Sequence, residues 1–321
     1  MSAPLLAVRG LRVAFPIGGV MAEAVRGVDL DIAPGEALGL VGESGSGKSL
    51  SAMAVMRLIA PPGRITAGSA SFDGTDLLAL PEAEMRRRRG RDISMVFQDP
   101  STSLDPAFTI GQQLTQVIRA HRPELGRRAA REHAIEALAL VGIAAPSRRL
   151  GHYPHEFSGG MRQRVLIAMA VACQPKLLIA DEPTTALDVT VQARIVDLLW
   201  DLRERLGLSI LFISHNLDLV AEICDRVCVM YAGRIVEAAT ARQVFTAPRH
   251  PYTRLLQRCV PRLYAPTDAL ESIEGAPPRL GAIPPGCAFA PRCPDAAEIC
   301  RTEQPATRAS GTREFACWAV P

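Results

Sequence analysis

Apolar residues alternate with polar ones at Leu6, Val8, Leu11, Val13 and Phe15, and again at Val28, Leu30 and Ile32. Period-two alternation predicts half-buried strands, here an antiparallel pair running from Leu5 to Phe15 and back toward the turn Pro34-Gly35. Ala37 to Val41 is a continuous apolar run, as expected of a strand covered on both faces. A helix follows through Met53 and Leu58 and closes at Pro61-Pro62-Gly63, and Gly68 to Asp76 predicts a hairpin. Ile93 to Phe97 is a short buried strand. Thr109 to Gly142 predicts two helical pieces split near Pro123, the second with an apolar stripe at Ile135, Leu138 and Val141. Ser158 is placed to cap a helix running to Cys173. Leu177 to Ala180 predicts another buried strand, and Val191, Ile195, Leu198 and Leu202 mark the helix after Asp188. Ile210 to Ile213 is the next strand. Val227 to Tyr231 and Arg234 to Val236 make a last pair turning at Ala232-Gly233. Alternating strands and helices of this kind predict an α/β fold with a mostly parallel sheet, the helical block from Thr109 being an inserted subdomain.

Ligands in such sheets bind beyond the carboxyl ends of the strands. Gly42, Gln98, Asp181 and His215 each follow a predicted strand, which places them along one crevice. The stretch Gly42-Glu43-Ser44-Gly45-Ser46-Gly47-Lys48-Ser49 fits the phosphate-loop pattern. Small residues let backbone N–H groups turn inward around phosphate oxygens. The helix starting near Lys48 adds its positive dipole end. Lys48 is then set to meet the β- and γ-phosphates, and the Ser49 hydroxyl to ligate Mg²⁺. The expectation is a nucleoside triphosphate site.

Composition narrows the classes. The chain has 321 residues, enough for about two domains, with 48% hydrophobic and 21% charged residues. A net charge of +3 does not by itself indicate nucleic acid. The arginines from Met85 to Arg91 lack interleaved aromatics, so they read as a solvated helix face. The most apolar stretch, Val165 to Ala180, is interrupted by Gln174, Pro175 and Lys176 and does not read as a membrane span. The amino terminus lacks a signal-peptide layout, which predicts a cytosolic chain.

The ordered set of motifs resembles the ATP-binding subunits of ABC transporters, from about Leu5 to the C-terminus. Gly42 to Ser49 is similar to the family's phosphate loop and Gln98 to its Q-loop. Phe157-Ser158-Gly159-Gly160-Met161 resembles the signature motif, with Phe for the usual Leu and Met for the usual Gln. Leu177 to Asp181 with Glu182 matches the second nucleotide motif. Ala186-Leu187-Asp188 matches the D-loop, and His215 the switch histidine. Phe15 stands where the family places an adenine-stacking aromatic, although its spacing alone reads as core. The implied chemistry is hydrolysis of ATP by in-line attack of water, with Asp181 and Gln98 near Mg²⁺, Glu182 polarising the water and His215 on the γ-phosphate. Ser158, Gly159 and Gly160 are implied to meet the nucleotide of a second ATPase subunit, and the D-loop Asp188 to belong to the nucleotide site. The resemblance favours a heterodimer of ATPases and leaves a homodimer open.

Within that family the chain resembles the peptide importers. Phe97-Gln98-Asp99-Pro100, Thr102-Ser103-Leu104-Asp105-Pro106 and His250-Pro251-Tyr252-Thr253 carry the likeness, with Asp-Pro where Asn-Pro is more usual. It implies two permease membrane subunits, a periplasmic or lipid-anchored peptide-binding protein, and a peripheral place on the inner face of the cell membrane. Importers of glutathione or nickel complexes are an alternative. A soluble ATPase acting on nucleic acid or ribosomes is a more distant one, since this chain has one phosphate loop and no long coiled-coil insertion. The expected organisation is a nucleotide-binding domain over 1–248, with a helical subdomain at about 99–160 and an antiparallel β subdomain, and an extension over 249–321.

The extension is proline-rich and holds Cys287, Cys293, Cys300 and Cys317, with five, six and sixteen residues between successive members. Four thiolates in a segment with little apolar surface suit a metal centre, Zn²⁺ or an iron–sulfur cluster. The spacings lack the short knuckles usual for zinc, and the family resemblance implies a [4Fe–4S] cluster. Cys173, Cys224, Cys228 and Cys259 read as buried small hydrophobes. Nothing in the residue pattern links the extension to the ATP crevice.

Overall fold

The computed structural model describes residues 3–98, 103–185, 187–259 and 272–320. In chain order the strands are β1 (Leu6–Ile17), β2 (Val20–Ile32), β3 (Ala37–Val41), β4 (Arg64–Phe72), β5 (Thr75–Asp76), β6 (Ile93–Val96), β7 (Leu177–Asp181), β8 (Ser209–Ser214), β9 (Arg226–Tyr231), β10 (Arg234–Thr240), β11 (Arg308–Ser310) and β12 (Arg313–Phe315). The chain divides into two compact units, one of residues 1–33, 37–79 and 213–321, the other of 34–36 and 80–212.

The first unit contains a four-stranded sheet in the order β2-β1-β4-β5. β1 and β2 are antiparallel, with Leu6 opposite Ile32 and Ile17 opposite Val20, so the hairpin is longer than the alternation predicts. Leu6, Val8, Leu11, Val13, Val25, Val28 and Ile32 are among its fully buried residues. The helix Lys48–Val55 follows β3. β9 lies parallel to β3 and antiparallel to β10, and β12 continues the ladder by pairing Phe315 with Glu237. The extension is thus joined to the unit that carries the phosphate loop, through a strand added at β10. Three backbone N–H groups anchor that junction: Ala316 donates to the Val236 carbonyl, and Arg249 and His250 donate to the buried Glu237 carboxylate. Tyr252, Phe289 and Phe315 bury fully, so hydrophobic burial contributes more to this segment than its composition predicts.

The second unit pairs β6 parallel to β7, with Ile93 opposite Leu177. Its helices Ile110–His121 and Arg127–Leu140 match the two predicted pieces. Thr109 closes the first with a capping box to Gln112, and the split falls at Arg122 to Gly126. Leu114, Ile118, Ala134, Leu138, Val165 and Ile167 are fully buried between these helices and Gly159–Val171. The arginine run forms the helix Glu82–Arg88 and its end, with Arg89 on Glu82 at 2.7 Å and Arg91 on Asp92 at 2.7 Å. Carboxylate pairing of this kind is what a solvated helix face provides.

Candidate nucleotide site and cysteine cavity

The phosphate loop occupies the turn between β3 and the helix Lys48–Val55. Gly42 takes a φ of 154°, and a Cβ there would meet the Met230 carbonyl at 2.1 Å, so a side chain is excluded at the point where loop and strand touch. Lys48 is only 4% exposed, and its ammonium donates to the carbonyls of Gly42 at 2.7 Å and Glu43 at 3.0 Å. The loop is therefore wound around its own lysine. Gly47 precedes the helix and offers no side-chain cap, so the first turn keeps its N–H groups for an anion. Ser46 and Gly47 are buried, Ser49 half-buried, and Ser44 and Gly45 exposed. Phe15, near the end of β1, is half-buried with its ring over Gly63.

In this same unit His215 is exposed directly after β8. The next residue, Asn216, caps the helix Leu217–Ile223 by accepting from the Asp218 N–H at 3.0 Å. The local structure thus delivers His215 at the strand's carboxyl end.

The second unit brings together three groups at the ends of β6 and β7. Asp181 ends β7 and is 5% exposed. Glu182 follows with a left-handed φ of 45°, an unfavourable conformation for a non-glycine residue that active sites retain. Its Oε2 accepts from Gln98 Nε2 at 2.9 Å and from Thr185 Oγ1 at 2.9 Å. Ser158 caps the helix Gly159–Val171, as its position predicts, by accepting from the Met161 N–H at 3.4 Å. Ser158 and Gly159 are exposed. A Cβ on Gly160 would lie 2.7 Å from Val191 Cγ1, so the signature stretch needs glycine to approach the helix Val189–Leu206. Asp188 caps that helix through Val191 N–H at 3.0 Å and Thr190 Oγ1 at 2.8 Å, bonds that hold its carboxyl below the usual range. Ala186, and the Asp99 to Thr102 part of the Q-loop region, lie outside the described residues.

The ABC transporter family matches residues 25–185 of this chain. The chain belongs to that family. The oligopeptide/dipeptide transporter C-terminal region matches residues 236–300. The dipeptide transport ATP-binding protein DppD of Haemophilus influenzae is 48% identical over 98% of this chain and 94% of its own length. The oligopeptide transport ATP-binding protein OppD of Escherichia coli is 49% identical over 98% of this chain and 93% of its own. Among solved structures, the ATP-binding cassette MJ0796, a dimer in a post-hydrolysis state bound to ADP and phosphate, matches at a TM-score of 0.66. It is 27% identical and covers 74% of this chain and 99% of that one.

This ABC transporter ATPase carries two features that sequence reasoning missed. Thr185 has no place in the motif reading, yet it holds the Glu182 carboxylate; its only sequence signal is its distance of one turn from Glu182. The second is a correction. The extension does touch the phosphate loop: Arg292 pairs with Glu43, and the Tyr252 hydroxyl accepts from the Glu43 N–H at 2.8 Å. The residues are separated by 249 positions in one case and 209 in the other, a span over which no pattern in the chain reports pairing.

The ABC ATPase's cysteines divide as follows. Cys173, Cys224 and Cys228 are buried, and Cys259 is only half-buried, its place at the end of the helix Pro251–Arg258 leaving it partly open. Cys287, Cys293, Cys300 and Cys317 are free thiols lining one small cavity of about 10 Å³, with His250, Phe289 and Asp295. Burial pushes the Cys287 and Cys317 thiols up and that of Cys293 up to about 11. His250 is 1% exposed and held neutral, its pKa pushed down to about 3 by burial. Its Nδ1 accepts from the Tyr252 N–H at 3.1 Å, and the ring also faces the Ala316 backbone. Among those residues no three His, Cys, Asp or Glu side chains approach closely enough to hold a single metal ion. No helix among them is long and apolar enough to cross a membrane.

Proposed function

We propose that this ABC ATPase is the ATP-hydrolysing subunit of a peptide importer, working at the inner face of the cell membrane with permease subunits and a peptide-binding protein. The match of residues 236–300 to the oligopeptide/dipeptide transporter C-terminal region carries this reading. We read residues 1–248 as the nucleotide-binding domain, with a helical subdomain at about 99–160, and 249–321 as the importer extension.

Lys48 and the loop from Gly42 to Ser49 bind the ATP phosphates, and Phe15 stacks on the adenine. Ser49, Asp181 and Gln98 offer the hard oxygen donors that suit Mg²⁺. Held there, such an ion would supply positive charge against the negative charge that develops on the phosphates. Glu182 orients the attacking water and accepts its proton, Gln98 and Thr185 fixing the carboxylate's direction, and His215 donates to the γ-phosphate. The exposed Ser158 and Gly159, with the half-buried Gly160, close the ATP site of a second ATPase subunit, which we take to be a different chain, and Asp188 belongs to the nucleotide site.

In the extension, Cys287, Cys293, Cys300 and Cys317 would hold a [4Fe–4S] cluster with a structural role. Four free thiols on one cavity support it.

Uptake of labelled dipeptide into proteoliposomes containing the permeases, both ATPases and the binding protein tests the substrate assignment. ATP-dependent dipeptide uptake, lost with Lys48→Ala, is the expected result. ATP-dependent uptake of glutathione or a nickel complex with no peptide uptake would overturn it.

A further inference from the structure

Glu43 is the one acidic residue in the phosphate loop, and phosphate binding does not call for a carboxylate there. An unpaired negative charge beside a triphosphate would oppose its binding. The fold answers this with Arg292, from the extension. Arg292 Nη1 and Nη2 donate to the two Glu43 carboxylate oxygens at 2.7 and 3.0 Å, a bidentate pair whose guanidinium side is 5% exposed. The remaining donors are also taken: Nε by the Glu274 carbonyl at 2.9 Å, Nη1 by the Tyr231 hydroxyl at 3.2 Å and Nη2 by the Ile273 carbonyl at 3.1 Å. All five N–H groups of the guanidinium are used, which fixes its position.

The Glu43 backbone is fixed as well. Its N–H donates to the Tyr252 hydroxyl at 2.8 Å, and its carbonyl accepts from Lys48 at 3.0 Å and from the Ser46 N–H at 3.2 Å. Burial pushes the Tyr252 phenol up, keeping it protonated. Tyr252 and Tyr231 are in turn packed by Phe289, with ring centroids 5.3 and 5.2 Å away. Phe289 also lines the cysteine cavity, and Arg292 immediately precedes Cys293. The extension thus grips the loop through one residue, by side chain and by backbone.

We propose that Arg292 and Tyr252 are positioning residues for the phosphate loop, so that the four-cysteine extension sets this subunit's affinity for ATP. The proposal rests on the phosphate-loop reading. Arg292 neutralises Glu43 and preorganises the loop around Lys48, and Tyr252 orients the peptide plane between Gly42 and Glu43. A change in the shape of the cysteine cavity acts on this grip through Phe289 and Arg292.

The test is equilibrium binding of a fluorescent ATP analogue with Mg²⁺ to the purified full chain, with thermal unfolding of each variant recorded. Arg292→Ala is expected to weaken binding by at least about tenfold, the scale of breaking a desolvated charge pair, and Arg292→Lys to recover part of that loss. In a Glu43→Ala background the Arg292→Ala change should cost less than about twofold, because its effect runs through Glu43. Tyr252→Phe, which keeps the packed ring, should weaken binding by about fivefold as one hydrogen bond is lost; it carries the test should Arg292→Ala not fold. Wild-type affinity in Arg292→Ala or in Tyr252→Phe would overturn the proposal, as would an Arg292→Ala loss of equal size in both backgrounds. Lys48→Ala separates the two readings: if it binds as tightly as wild type, the phosphate-loop reading itself fails.

Discussion

Gln98 and Glu182 are hydrogen-bonded to each other, Nε2 to Oε2 at 2.9 Å, although 84 positions separate them. The parallel pairing of β6 with β7 accounts for the meeting, since it brings both carboxyl ends to one place, and Gln98 and Glu182 are the polar residues just past those ends. The left-handed backbone of Glu182 costs about 1–3 kcal/mol. Two donors on one carboxylate oxygen recover part of that cost and set the direction in which the carboxylate acts.

Thr185→Val isolates the second donor. Losing one hydrogen bond to a charged group should lower ATP turnover in the assembled transporter by about tenfold. ATP affinity should stay within about twofold, because Thr185 is remote in sequence and role from the phosphate loop. Steady-state hydrolysis against ATP concentration reads both quantities.

Gly160→Val should destabilise the chain by about 1–3 kcal/mol through overpacking, since even a Cβ would stand 2.7 Å from Val191 Cγ1. The drop in thermal midpoint measures it. Shortening Val191 to Ala in the same chain should restore part of the loss, because the two positions touch.

Much of this was legible in the chain. Period-two and continuous apolar runs placed β1, β3, β7 and β9, and Ser158 was readable as a cap from its position alone. The far half of β2 was not, because Val20 and Met21 are exposed and the alternation fades there. The phosphate loop and the Asp181-Glu182 pair are local motifs, so sequence carries them complete. What the chain conceals are long-range contacts: Glu43 with Arg292, and the docking of β12 on β10. Their signals are single residues in turns, with no periodicity to announce a partner.

The purified chain alone should hydrolyse ATP weakly and gain activity with its permeases and second ATPase, because the exposed signature residues Ser158 and Gly159 have no nucleotide to close within one chain. Comparing turnover per chain, alone and in the reconstituted complex, tests this. Full activity in the isolated monomer would contradict a shared site.

Anaerobically purified protein should contain about four irons per chain and absorb broadly near about 400 nm, as [4Fe–4S] proteins do. Cys→Ser changes at Cys287, Cys293, Cys300 or Cys317 should lose the iron, and a change at Cys173 should not. Elemental analysis showing one zinc and no iron would replace the cluster with a zinc site.

The most direct test of the account is single-turnover ATP hydrolysis by Glu182→Gln in a complex whose other ATP site has been inactivated. The account predicts retained ATP binding, through Lys48 and the loop, with hydrolysis slowed by at least about a hundredfold as the water-orienting base is lost. Hydrolysis at a near wild-type rate would contradict it.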